Sequence, residues 1–212
     1  MPLNFTLGRL HNKFGKFMNQ GNQLELERCP HCNVAKPLLC RLWHLETTDH
    51  AKGNKRAWST YGCKSCGGIL LVVSPTELNH NITSMWPTPQ VVANEVPTRA
   101  YEFLTQAIAS LHAPAGAVML TASAVDAMLK DKGYKDGSLN SRIEAAAKAH
   151  LITDEMSAWA HEIRLDANDQ RHADESASLP NTTDATKVIE FANALAQFLY
   201  VLPARVARGR KP

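Results

Sequence analysis

The chain lacks the features that would place it in most enzyme or membrane classes. No stretch approaches the roughly 18 to 20 apolar residues of a membrane-spanning helix. The first twenty residues mix Arg9, Lys13 and Lys16 among apolar side chains, unlike the unbroken apolar core of a secretory signal. There is no glycine-rich phosphate loop, nucleophile elbow or paired-histidine metal motif, so kinase, serine-hydrolase and metalloprotease chemistry have no foothold. Internal repeats and low-complexity tracts are also missing. These absences suggest a soluble, cytoplasmic protein with no membrane partner. The net charge is only +3, which excludes a histone-like polycation.

Cysteine is scarce, five in 212 residues, but four of them fall in two pairs, Cys29-Pro30-His31-Cys32 and Cys63-Lys64-Ser65-Cys66. Each Cys-x-x-Cys can form a tight knuckle aiming two sulfurs at one centre, and two knuckles complete a tetrahedral four-thiolate site. The expected ligands are therefore Cys29, Cys32, Cys63 and Cys66, and the expected cofactor is one structural Zn²⁺ per chain. A closed four-thiolate shell leaves no open position for substrate. Two disulfides, or four packed thiols, are the alternatives, and without a secretory signal zinc suits the pattern better. Such an ion contributes about 10 to 16 kcal/mol of apparent binding energy in small zinc modules. Cys40 is the odd cysteine and reads as a buried free thiol. His31, His44 and His50 are spare ligands that four cysteines make unnecessary.

Residues 1–73 carry ten Lys/Arg against four acids, so the positive charge is concentrated there. Four thiolates around one Zn²⁺ offset about two of those charges. Lys52, Lys55 and Arg56, with Trp58, form a candidate nucleic-acid surface, because cations neutralise phosphates and indoles stack on bases. The alternative is that Trp43 and Trp58 cover the small zinc core.

Residues 1–73 read as an amphipathic lead-in (Phe5, Leu7, Leu10, Phe14, Phe17 and Met18 among cations) followed by a zinc ribbon. Its strands are expected at 36–43, 55–61 and 69–73. Residues 74–96 contain Pro75, Pro87 and Pro89 and read as a Pro/Asn-rich linker. Beyond it the apolar spacing turns helical. Tyr101, Leu104, Ile108 and Leu111 mark one helix, and a second runs from Pro114 to about Lys132, stopped by Gly133. A third spans Ser138 to His150, and a fourth starts at Thr153 and continues through Trp159 and Ile163. A last helix from about Asp184 presents Val188, Phe191, Ala192, Leu195, Phe198 and Leu199, ends at Pro203, and leaves a basic tail at 207–212. The expected fold is α+β: a small N-terminal zinc ribbon followed by an all-α bundle of about five helices over 97–206.

One polar cluster in the bundle suggests chemistry: Glu162, Arg164, Asp166, Asn168, Asp169, Arg171 and His172. The run Ile163, Arg164, Asn168 and His172, then a helix ending Leu199-Tyr200-Val201-Leu202-Pro203, resembles the bacterial and phage family called domain of unknown function 4145. In that family a Cys-x-x-Cys zinc ribbon often precedes the bundle, matching Cys29, Cys32, Cys63 and Cys66. The family is usually grouped with the HEPN superfamily of toxin–antitoxin, CRISPR and phage-defence systems, whose active members are metal-independent ribonucleases.

The resemblance therefore implies a HEPN-like bundle in a defence setting, with a defence-system protein as a partner; the small-residue and aliphatic surfaces of the bundle suggest a homodimer, and the basic ribbon face suggests RNA or DNA. The resemblance also makes Arg164, Asn168 and His172 the candidate catalytic residues. His172 would be the general acid/base and Arg164 the group that neutralises the phosphorane. Arg164 stands farther from His172 than the motif's spacing, and Ala167 occupies the aligned arginine position. In a continuous helix the two would be about 12 Å apart in rise and about 80° in rotation, so a break near Asn168 is needed to bring them together. The leading expectation is a nucleic-acid- or protein-binding module of a defence or counter-defence system. A metal-independent endoribonuclease and a pure protein-interaction adaptor are the alternatives.

Overall fold

Residues 20–75, 81–161 and 178–210 are described from a computed structural model of the chain. They fall into two compact units that divide between Gln90 and Val91.

The first unit is a five-stranded antiparallel meander: β1 (Gln23–Leu24), β2 (Leu39–Thr47), β3 (Arg56–Cys63), β4 (Ile69–Ser74) and β5 (Ser84–Trp86), hydrogen-bonded in that order. This corrects the expectation of a small zinc ribbon. The α+β class stands, but the cysteine knuckles belong to a sheet that runs from residue 23 to residue 86. The sheet reaches Trp86 because Leu71, Val72 and Val73 of β4 pair with Trp86, Met85 and Ser84. A strand therefore lies inside the stretch read as linker.

Alternation along β3 separates the two faces. Ala57, Ser59, Tyr61 and Cys63 point to a buried face with Leu24, Leu39, Leu70, Val72, Ile82 and Met85. Ala57 and Ser59 are small, and the Gln20 side chain lies against them. Gln20 Nε2 donates to Ala57 O and to Ser74 Oγ, and Gln20 Oε1 accepts from Ser59 Oγ. Tyr61 Oη donates to Gly21 O at 2.8 Å and accepts from Gly21 N–H. These bonds fasten the entering chain across the sheet and satisfy polar groups that burial would otherwise leave costly.

In the second unit, α1 (Thr98–Ala109), α2 (Pro114–Asp131), α3 (Leu139–Lys148), α4 (residues 154–161), α5 (Thr182–Ala196) and α6 (Leu202–Gly209) follow one another. Their starts follow from local chemistry. Pro114 opens α2 at a position where its missing N–H costs nothing. Ser138 caps α3 by accepting from Ser141 N–H, Thr153 accepts from Met156 N–H at α4, and Asn181 with Asp184 forms a capping box at α5. Gly133, at φ +99°, follows the end of α2. The buried stripe of Leu104, Ile108, Val118, Val125, Met128, Leu129, Ile143, Val188, Ile189, Phe191, Leu195 and Leu199 is the core.

Two expectations about the last helix are corrected. Phe198 is exposed, and Pro203 does not end the helix. A π-turn over Gln197–Val201, in which Leu202 N–H reaches back to Gln197 O, widens the helix just before the proline, and the chain continues as α6. The turn also places Tyr200 so that its hydroxyl donates to Met128 O and meets Asp131 Oδ2, each at 3.0 Å. Burial, then Asp131, pushes the Tyr200 phenol well above its ordinary pKa.

Phe191 is fully buried and meets Trp159 edge-on, with centroids 5.0 Å apart. Phe191→Ala should destabilise the helical unit by about 3 to 5 kcal/mol, read by denaturant unfolding, with metal content per chain unchanged. An unmoved midpoint would show that this face is not core.

Candidate metal centre and the tryptophan face of the sheet

The Sγ atoms of Cys29, Cys32, Cys63 and Cys66 all lie within 4.8 Å of one another, and Cys29 Sγ is 4.0 Å from Cys66 Sγ. Four sulfurs at about 2.3 Å from a tetrahedral ion would be separated by about 3.8 Å. The donor set therefore fits a divalent metal that prefers thiolate. As expected from the spacing, the four cysteines form one cluster.

The two knuckles are built alike. Cys29 O accepts from Asn33 N–H at 2.9 Å, and Cys63 O accepts from Gly67 N–H at 2.8 Å. Cys29 N–H donates to Val34 O, and Cys63 N–H donates to Gly68 O. The residue four after each first cysteine is left-handed, Asn33 at φ 57° and Gly67 at φ 73°. Asparagine and glycine are the residue types that adopt this conformation most readily. Gly68 N–H also donates to Cys66 Sγ at 3.4 Å.

Burial divides the ligands. Cys29 and Cys63 belong to the hydrophobic core of the sheet, whereas Cys32 and Cys66 are exposed. The centre is therefore part of the core at one end of β3. His31 is not a ligand in this arrangement: its Nε2 meets Ile69 O at 2.9 Å and its ring packs on Gly68. His44 shares a 2.9 Å hydrogen bond with Ser59 Oγ. Cys40 is half-buried, paired across the sheet with Gln23 and Gly62, rather than buried as expected.

The thiols titrate unequally. Burial pushes the Cys29 thiol up. At Cys32 the hydrogen bond from the Val34 backbone pulls down, but burial and the sulfurs of Cys66 and Cys29 outweigh it and leave the pKa at about 12. At Cys63 burial acts upward, yet the backbone groups of Cys66 and Ser65 and the Cys29 and Cys66 side chains bring the pKa to about 7. A bound cation supplies the positive charge that stabilises all four as thiolates. Because the ligating forms are deprotonated, metal is lost as pH falls.

The opposite face of the sheet carries the second constellation. Trp43, Thr60, Leu71 and Trp86 form one row across β2, β3, β4 and β5, and Leu45, Trp58, Val73 and Ser84 form the next. Neither Trp43 nor Trp58 belongs to the buried core. Trp43 is 51% exposed and Trp86 48%. Trp58 stacks on Trp86 with centroids 6.3 Å apart and an interplanar angle of 21°, and its Nε1 donates to Thr47 Oγ1. A bulge between Arg41 and Trp43 lets Leu42 lie over Gly62 beside this face.

Arg56 pairs with Thr47 two positions before Trp58, on the same face. Lys52 and Lys55 lie in the adjoining hairpin. Asp49 shapes that hairpin by accepting from Gly53 N–H at 2.8 Å and from Asn54 Nδ2 at 2.6 Å. Of the four expected nucleic-acid residues, Arg56 and Trp58 share this face, and Lys52 and Lys55 lie in the loop beside it. Sequence reasoning missed Trp86, hidden in a three-residue strand next to prolines, and the packing of His31 on Gly68. The expected catalytic residues Arg164, Asn168 and His172 lie outside the described residues.

The family model described as domain of unknown function (DUF4145) matches residues 105–211, half of the chain and all of the helical unit from the second half of α1 onward. The chain belongs to that family. No curated protein and no solved structure matches it. No helix among the described residues is long and apolar enough to cross a membrane.

A Cβ on Gly68 would stand 2.5 Å from the His31 ring. Gly68→Ala should therefore weaken metal binding roughly 10- to 100-fold, measured by competition with a chromophoric chelator, and His31→Ala in that background should restore most of the loss. Parental affinity in the single variant would contradict this packing.

Proposed function

We propose that this protein binds nucleic acid on the tryptophan face of its sheet, with zinc at the four cysteines as the structural element that holds the sheet in shape. The observation that carries the reading is the sign and chemistry of that face. Its rows present three indoles and one charged side chain, Arg56, and no carboxylate. Lys52 and Lys55 extend the positive edge. The one acid in that hairpin loop, Asp49, has both carboxylate oxygens occupied by the loop itself. Glu46, the acid on β2, pairs with Ala57 and so belongs to the opposite face.

Cations beside aromatic rings suit a polyanion that carries bases. The closed four-thiolate shell supports a structural role for the metal and no step of chemistry at it. The family resemblance adds a HEPN-like bundle and a defence or counter-defence setting, and the small-residue and aliphatic surfaces of the bundle add a homodimer. The binding assignment depends on none of the three.

Salt titration tests the reading. Binding of a labelled oligonucleotide should weaken steeply with salt, and Lys52→Gln, Lys55→Gln and Arg56→Gln together should flatten the log–log slope by roughly two to three. Absence of binding at low salt would overturn the proposal and leave a protein-interaction adaptor.

A further inference from the structure

We infer that the ligand of this face is an unpaired strand, lying across the β-strands with its bases stacked on Trp43 and Trp86. This inference rests on the nucleic-acid reading above and narrows it. Trp43 and Trp86 occupy the two ends of a single row, joined through Thr60 and Leu71. Three inter-strand steps separate them, about 14 Å.

Both rings are about half exposed, whereas Trp58 gives one side to Trp86 and its Nε1 to Thr47. Trp43 and Trp86 are therefore the open platforms, and Trp58 is the support that fixes the plane of one of them. Between them the row is low and nearly featureless, a threonine and a leucine.

A duplex cannot use this arrangement. Its bases are stacked on one another about 3.4 Å apart along each strand, so no base face is free for an indole in its interior. A single strand can splay its bases and place them on separated aromatic side chains. The cations define the strand's orientation on the face. Arg56 lies on the hairpin side of Trp58, with Lys55 and Lys52 beyond it, while Ile69 and Gly62 occupy the opposite end of the face. The phosphates therefore run along the hairpin side and the bases point toward the tryptophan row. Apart from the Thr60 hydroxyl, that row offers no hydrogen-bonding side chain between the two platforms, so recognition rests on ring stacking and tolerates base sequence.

The experiment uses the full chain, metal-loaded, with oligo-dT and oligo-U of roughly sixteen nucleotides, the upper end of site size for one such module. A length-matched abasic strand and a duplex serve as competitors. Anisotropy gives affinity, and quenching of tryptophan emission reports stacking. Trp43→Ala and Trp86→Ala should each weaken single-strand binding roughly 5- to 150-fold, with the salt slope unchanged. The phenylalanine variants should recover most of that affinity, which separates stacking from loss of fold, and metal content should remain one per chain. The abasic strand and the duplex should compete poorly.

Alanine variants that bind like the parent, or a duplex or abasic strand that competes as well as the single strand, would overturn this inference while leaving salt-dependent binding intact. Failure to bind any of the probes at low salt would overturn the nucleic-acid reading itself, and this inference with it.

Discussion

The fold of the N-terminal unit depends on how the two cysteine knuckles are fastened to the sheet. Cys63 ends β3 and Cys29 lies in the connection between β1 and β2, so one ion at their sulfurs would join two segments distant in sequence. The buried ligands are themselves core residues, packed with Leu24, Leu39, Tyr61 and Leu70. That core is small, and few apolar side chains offset the entropy of ordering the five strands. Metal–thiolate bonds at the four cysteines would supply the difference.

Exposed indoles such as Trp43 and Trp86 are costly in a protein that uses them for nothing, because they invite association. Here several details keep the tryptophan face ordered. The Trp58 ring is held on one side by Trp86 and at its nitrogen by Thr47, and the hairpin that carries Lys52 and Lys55 is closed by Asp49. On the opposite face, Gln20, Ser59 and Ser74 satisfy one another beneath the same strands. The four-cysteine cluster, the buried polar network and the surface indoles are thus linked through β3, and loss of a bound metal should reach the proposed binding face through that strand.

What could be read from the chain follows the range of the interactions involved. The cysteine cluster was legible because both knuckles are local, each set by a few consecutive residues and closed by Asn33 or Gly67. Helix starts at Pro114, Ser138 and Thr153 were legible for the same reason. The fifth strand was not. Ser84, Met85 and Trp86 form a strand only because β4 pairs with them, and the neighbouring prolines read as linker. Pro203 reads as a stop, and only the π-turn before it, which no periodicity announces, lets the helix continue. The side of the sheet on which Trp43 and Trp58 lie depends on register and on the bulge at Leu42, both of which are properties of strand pairs.

The most direct test of the central claim is amide hydrogen exchange of the intact protein with zinc and after its removal by chelation. Metal removal should abolish protection along β3 and β4, at Tyr61 and Leu70 above all, while α2 and α5 keep theirs. Protection of the sheet that survives chelation unchanged would contradict the account, since strand pairing and the small apolar core would then suffice without the four-cysteine centre.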